Sequence, residues 1–186
     1  KKGYDVTWPV DAVYKKTIQE YLRTPINFID TNDAIALKYM GAKEPYFSEE
    51  LVILPLDGCT TFTKNKKIMA AKYEVARLPN FEDWDNYFSI NRNFTKENRL
   101  YYDILGLSEG EEYCLVSKNY ATPPSYLKLD IKSKSSLRTI DLDFIEGFTL
   151  FDWCTVIENA SEIHMIDSSI NYIIDKLKLK TDKLYL

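Results

Sequence analysis

Apolar positions along the chain change period several times, and each change marks an element. Residues 3–10, GYDVTWPV, read as a strand ended by Pro9. In DAVYKKTIQEYLR (11–23), Val13, Ile18 and Leu22 fall broadly on one helical face. PINFID (25–30) is a second short strand, and ELVILPLD (50–57) a third, apolar almost throughout up to Pro55. A continuous apolar run predicts a strand covered on both faces, as in a parallel sheet. KNKKIMAAKYEVAR (64–77) predicts a helix, whereas 78–94, LPNFEDWDNYFSINRNF, is aromatic and polar with no clean period. That stretch reads as a junction between two units.

A new pattern starts at Thr95, a good N-cap residue, with Leu100, Tyr101, Ile104 and Leu105 at helical spacing and Gly106 where a helix ends. EYCLVSK (112–118) is a strand. YLKLDI (126–131) and LRTIDLDF (137–144) alternate with period two, and KSKSS between them suggests a hairpin loop. TLFDWCTVIENA (149–160) predicts a helix opened by the capping-box pair Thr149 and Asp152, with Leu150, Trp153, Cys154 and Ile157 as its apolar stripe. EIHMID (162–167) carries apolar residues on both faces and reads as a central strand. Ile170, Ile173, Ile174 and Leu177 then mark a helix over 170–178, and KLYL a last strand.

Strands alternating with helices predict an α/β fold of two Rossmann-like units. The expected boundaries are 1–77 for an N-terminal unit, 78–94 for the linker and 95–186 for a C-terminal unit. The N-terminal unit reads as incomplete, because KKGYDVTWPV opens inside a domain.

Composition narrows the function classes. The 186 residues carry a net charge of −4 with lysines scattered, which argues against a nucleic-acid face. No apolar stretch approaches the roughly 18 residues of a membrane span. Three widely spaced cysteines (Cys59, Cys114, Cys154) fit reduced thiols and a cytoplasmic setting. With one histidine, His164, and no ligand spacing, no metal site is expected; His164 reads as a structural residue in its strand. The six glycines form neither a G-x-G-x-x-G turn nor a P-loop, which excludes the usual dinucleotide and nucleoside-triphosphate signatures.

Chemistry concentrates where EIHMID meets its helix. Asp167, Ser168 and Ser169 stand at the carboxyl end of a strand and the amino end of a helix, the edge where open α/β sheets bind ligands. Serine hydroxyls there can cap the helix or donate to an anion, and the turn is expected to do both, one hydroxyl for each task. Lys118 and Asn119, after the other strand, can reach the same edge or form a solvated turn. Asp57, ending LVILPLD, is a candidate general base for an acceptor hydroxyl, or simply a turn residue before Gly58.

The stretch FDWCTVIENASEIHMIDSSINYIIDKL (151–177) resembles the C-terminal half of glycosyltransferases with the GT-B fold. It is most similar to glycosyltransferase-like proteins of viral and bacterial genomes. Heptosyltransferases and α-1,6-fucosyltransferases have a comparable small-hydroxyl turn before a helix, in contact with the donor diphosphate. The resemblance is strongest over 144–186 and looser over FTKENRLYYDILGLSEGEEYCLVSKNY. It implies a glycosyltransferase that needs no metal or cofactor beyond its nucleotide-sugar donor and acts on an unidentified glycan or protein acceptor. It matches Ser168 and Ser169 to the donor-phosphate turn, Asp167 to a position beside it, and Lys118 and Asn119 to the loop after the first donor-domain strand. Three features depart from the family. The Gly-rich acceptor-domain loop would lie upstream of Lys1. A hairpin replaces a crossover helix within 120–144. The phosphate-binding arginine has only Arg138, in a predicted strand, as a counterpart.

Two other readings stand beside this one. A GT-B-like module can keep binding and lose turnover. A metal-dependent GT-A transferase needs Asp-x-Asp, for which Asp83/Asp85 and Asp141/Asp143 are the matches, the latter alternating as a half-exposed strand would.

Overall fold

The computed structural model describes residues 5–22, 26–56, 59–61, 63–64, 68–79, 86, 88–122, 125–128, 136–166 and 168–185, with backbone alone at 68–69, 119–122 and 125–128. It is a mixed α/β structure with parallel strands and helices. The chain divides into two compact units, Lys1–Ser89 and Ile90–Leu186. Among the described residues, no helix is long and apolar enough to cross a membrane.

The first unit opens with a β-α-β turn of chain. β1 (Val6–Val10) and β2 (Ile26–Asp30) pair in parallel, with Val6 opposite Ile26, and α1 (Ala12–Tyr21) crosses between them. The Asp11 carboxylate accepts from the Val13 N–H at 3.2 Å and caps α1. Pro9 does not end β1: the strand runs on to Val10. A two-stranded sheet leaves each strand an open edge, where a residue without an N–H is tolerated. The expected α1 face holds in part, with Ile18 and Leu22 half-buried. Tyr21 is the buried residue of that helix, while Val13 is 76% exposed. Two strands are too narrow to cover a full helical stripe.

α2 (Ala34–Tyr39) follows, capped by the Asp33 carboxylate, which accepts from the Ile35 N–H at 2.8 Å. The expected third parallel strand is replaced by a small antiparallel pair, β3 (Tyr46–Phe47) with β4 (Val52–Ile53). Ser48 holds its turn, its hydroxyl accepting from the Leu51 N–H at 3.0 Å. The run is apolar, but Val52 and Ile53 are only half-buried and Leu51 and Leu54 are exposed. Apolar composition alone misled, because the run is only partly buried among the described residues. α3 (Ile68–Val75) packs Ala71 and Val75 on Cys59 and Leu56, a core of mostly small side chains.

In the second unit, α4 (Phe94–Asn98) is capped by Asn93, whose side-chain oxygen accepts from the Lys96 N–H at 3.1 Å, so the cap is Asn93 and not Thr95. A π-helical turn, Arg99–Ile104, continues it and buries Leu100 and Tyr101. Gly106 closes the segment with φ +60°, as its place in the pattern predicts.

β5 (Tyr113–Ser117) is buried at every position. β6 (Asn119–Thr122) and β7 (Ser125–Lys128) then form an antiparallel hairpin. The expected hairpin between YLKLDI and LRTIDLDF is thus displaced: the first pairs backwards with β6, and the second joins the main sheet as β8 (Arg138–Asp141). A 3₁₀ turn, Leu150–Trp153, leads into α5 (Cys154–Asn159). Its entry is the expected capping box, with the Thr149 N–H donating to the Asp152 carboxylate at 2.8 Å. β9 (Glu162–Met165), α6 (Ile170–Ile174) and β10 (Leu184–Tyr185) complete the unit.

The main sheet has the order β10-β9-β5-β8, every pair parallel. Its core face carries Tyr113, Leu115, Ile140, Ile163 and Met165 against Trp153, Val156, Ile157, Ile170, Ile173 and Ile174. Each large side chain fully buried here contributes about 1.5–3 kcal/mol.

Candidate functional site

The sheet order decides where the candidate residues meet. β5 sits at the centre with β9 on one side and β8 on the other. The chain leaves β5 toward β8 and leaves β9 toward β10, so connections from these two neighbours run in opposite directions. The space beyond their carboxyl ends is a topological switch point. Ser117 and Met165 are partners in register, and the Ile166 N–H donates to the Ser117 carbonyl at 3.2 Å. Lys118 and Asn119 therefore leave the sheet beside the segment that carries Ser168 and Ser169. Asp167 lies outside the described residues, as does Asp57, and of Asn119 the backbone alone is described.

Lys118 is not a free cation. Its ammonium donates to the Asp141 carboxylate at 2.6 Å, tying the end of β5 to the end of β8. Asp141 is 45% exposed and Lys118 22%, so the pair lies at the solvent edge of the sheet. This pairing also bears on the Asp-x-Asp match. Asp141 is spent on Lys118, and the Asp143 carboxylate accepts from the N–H of Phe144 at 2.8 Å. Among the described residues, neither joins a cluster of metal-donor atoms.

The serines differ from expectation. Ser169 stands at the N-cap position but has helical dihedrals, φ −58° and ψ −18°, and its hydroxyl makes no capping hydrogen bond. An N-cap side chain reaches the following N–H groups from an extended backbone, which Ser169 does not adopt. Ser168 contributes its carbonyl, which accepts from the Asn171 N–H at 3.1 Å. Helix α6 is five residues, shorter than the predicted 170–178. Turns continue it, with Leu177 N–H donating to Ile174 O at 2.9 Å, and Leu177 still packs on the core. Ser168 is half-buried and Ser169 exposed.

Arg138 belongs to the other end of the sheet, at the start of β8. It donates to the Leu105 carbonyl at 2.6 Å and to Glu111 at 2.9 Å, closing the carbonyl end of the π-helical segment. The Ser108 N–H, then Arg138, hold the Glu111 carboxyl below its usual range. Arg138 is a structural clasp, and the proposal that it reaches a donor phosphate is corrected by its position.

Three arrangements carry no sequence signal. In the first, Arg92 binds Glu97, Glu158 and Thr155 together, and Glu97 is completely buried. Glu97 also accepts from the N–H and hydroxyl of Thr155, at 3.0 and 2.7 Å. Both carboxylates, chiefly Glu97, raise the Arg92 pKa further above its ordinary value. The nearby Cys154 thiol is pushed up to about 12, first by burial and then by Glu97, and stays protonated at neutral pH.

The second is a cavity of about 240 Å³ in the N-terminal unit, lined by Pro45, Phe47, Thr63, Glu74, Val75 and Arg77. Arg77 has φ 55° and lays its guanidinium over the Phe47 ring at 3.8 Å.

The third lies on the face of the main sheet opposite the core. Cys114 and Glu162 are cross-strand partners, His164 follows Glu162 by two residues, and their donor atoms lie within 4.8 Å of one another. The His164 side chain is 17% exposed and stacks on Tyr185 at 4.6 Å.

The chain matches no protein-family model, no curated protein and no solved structure.

Proposed function

We propose that the protein is a glycosyltransferase of GT-B-like construction whose C-terminal unit binds a nucleotide-sugar donor at the carboxyl edge of its parallel sheet. The observation that carries this reading is the strand order. Taken in chain order, β8-β5-β9-β10 runs second, first, third, fourth, the order of a doubly wound Rossmann-like sheet. Lys118, Asn119, Ser168 and Ser169 follow the two strands that flank its switch point. The uncapped state of Ser169 supports the same reading, since its hydroxyl is not engaged with the helix and can donate to a phosphate oxygen. Lys118 supplies a positive charge, which a diphosphate would share with or draw away from Asp141. In this reading Asp167 lies beside the phosphates, Asp57 is the acceptor-side base, and no metal takes part in transfer. Cys59, Cys114 and Cys154 are buried and stand outside any disulfide among the described residues, which supports a cytoplasmic setting.

One observation favours a second reading, a module that binds without turnover. The only charged side chain at the edge that could stabilise a leaving diphosphate, among the described candidates, is already neutralised by Asp141.

Calorimetry of the full chain against UDP-, GDP-, CMP- and dTDP-sugars tests the proposal. One donor class is expected to bind, and Ser168→Ala and Ser169→Ala each to weaken it by about 10- to 150-fold, the range for a hydrogen bond to a charged group. Release of free nucleotide from the bound donor separates the enzyme from the binding module. No binding by any donor, or unchanged affinity in both serine variants, overturns the reading.

A further inference from the structure

We infer that Cys114, Glu162 and His164 form a binding site for a borderline divalent ion of the zinc class, on the sheet face opposite the core. Register creates the site. In a parallel pair, partners in register project to the same face, and so do residues two apart along a strand. Cys114 on β5 is opposite Glu162 on β9, and His164 is the next residue of β9 on that face. All three donor atoms fall within 4.8 Å of one another, and His164 Nε2 lies 3.7 Å from Glu162 Oε2. Ligands bonded to one tetrahedral ion at about 2.0–2.3 Å stand about 3.3–3.8 Å apart, so the His164–Glu162 pair already has that spacing and the set as a whole closes by about 1 Å on binding.

A second observation points the same way. His164 Nε2 is buried and has no hydrogen-bond partner. Buried polar atoms are almost always satisfied, so this nitrogen needs a reason. A histidine kept only for packing against Tyr185 would not require its Nε2 to face a carboxylate. A metal ion would use the nitrogen lone pair and draw the Cys114 thiol to thiolate. The Tyr185 ring, on the strand beyond, fixes the imidazole plane from one side.

The donor set selects the ion. A thiolate, an imidazole and one carboxylate suit zinc and its late first-row neighbours, and not magnesium or calcium, which take oxygen donors. Three protein ligands leave a fourth tetrahedral position for water. The site is separate from the proposed donor edge, because Cys114 and Glu162 lie toward the amino ends of β5 and β9. Sequence spacing hides it. The expectation of no metal site rested on one histidine and no ligand motif, whereas 48 positions separate Cys114 from Glu162.

Cobalt(II) titration of the reduced full chain tests the inference. One equivalent is expected to bind with an intense near-ultraviolet thiolate-to-cobalt charge-transfer band, and zinc to displace it. Cys114→Ser should abolish the band. His164→Asn should weaken binding by at least about tenfold, since losing even an outer-shell partner of a metal site has that effect. Cys59→Ser and Cys154→Ser should leave the band intact. Should Cys114→Ser fail to fold, Glu162→Gln and His164→Asn, each checked by its thermal melt, carry the test. No cobalt uptake, a band that follows Cys59 or Cys154, or unchanged affinity in folded Glu162→Gln and His164→Asn would overturn the site.

Discussion

Arg92 joins the segment before α4 to α5, and its value rests on what surrounds its partner. Glu97 is completely buried and takes hydrogen bonds from Arg92 and from the N–H and hydroxyl of Thr155. Removing the cation strands a carboxylate inside the protein. Arg92→Met is therefore expected to destabilise the C-terminal unit by about 3 kcal/mol, toward the low end for a broken buried pair because Arg92 is 18% exposed. Adding Glu97→Gln should restore part of that loss. Urea denaturation of the single and double variants measures both, and an unchanged midpoint in Arg92→Met would mean that the pair contributes nothing. None of this was legible in RNFTKEN, where no motif or spacing marks Arg92 and Glu97 as partners. The serines show the converse case. Their place in the fold was legible from residue type and neighbours, but whether Ser169 caps depends on one backbone dihedral that residue type leaves open.

At the scale of elements, pattern located strands better than it paired them. β5, β9 and the capping box at Thr149 lie where the periodicity puts them. Pairing partners were misread at β4 and β7, because alternation records how a strand is buried and not which strand lies beside it. The helix before Gly106 was legible as a helix, but its π-helical turn was not. The stop itself was legible, since a helical run ending at glycine asks for a left-handed residue. Gly106 has φ +60°, and a Cβ added there would meet nothing within 4 Å. The whole effect of Gly106→Ala is then backbone strain, about 1 kcal/mol of lost stability. A denaturant midpoint that falls with an unchanged slope is the expected result. Crowding cannot be invoked to explain a larger loss.

At the scale of the whole molecule, strand order brings scattered candidates to one edge of a sheet. Lys118 and Ser168 are 50 positions apart in sequence, yet they follow adjacent strands of one sheet. The same register that joins them at the carboxyl edge joins Cys114, Glu162 and His164 on the sheet face. Sequence pattern pointed to the α/β class and to the strand-serine-serine-helix turn. It could not reveal the register, and therefore missed both the Lys118–Asp141 pair and the metal-donor cluster.

Backbone hydrogen exchange of the full chain, with and without the nucleotide sugar that binds most tightly, tests the central claim most directly. The account predicts slowed exchange at residues 117–119 and 166–171, the two segments that leave β5 and β9 at the switch point. Binding accompanied by slowed exchange elsewhere, with those two segments unchanged, would contradict it.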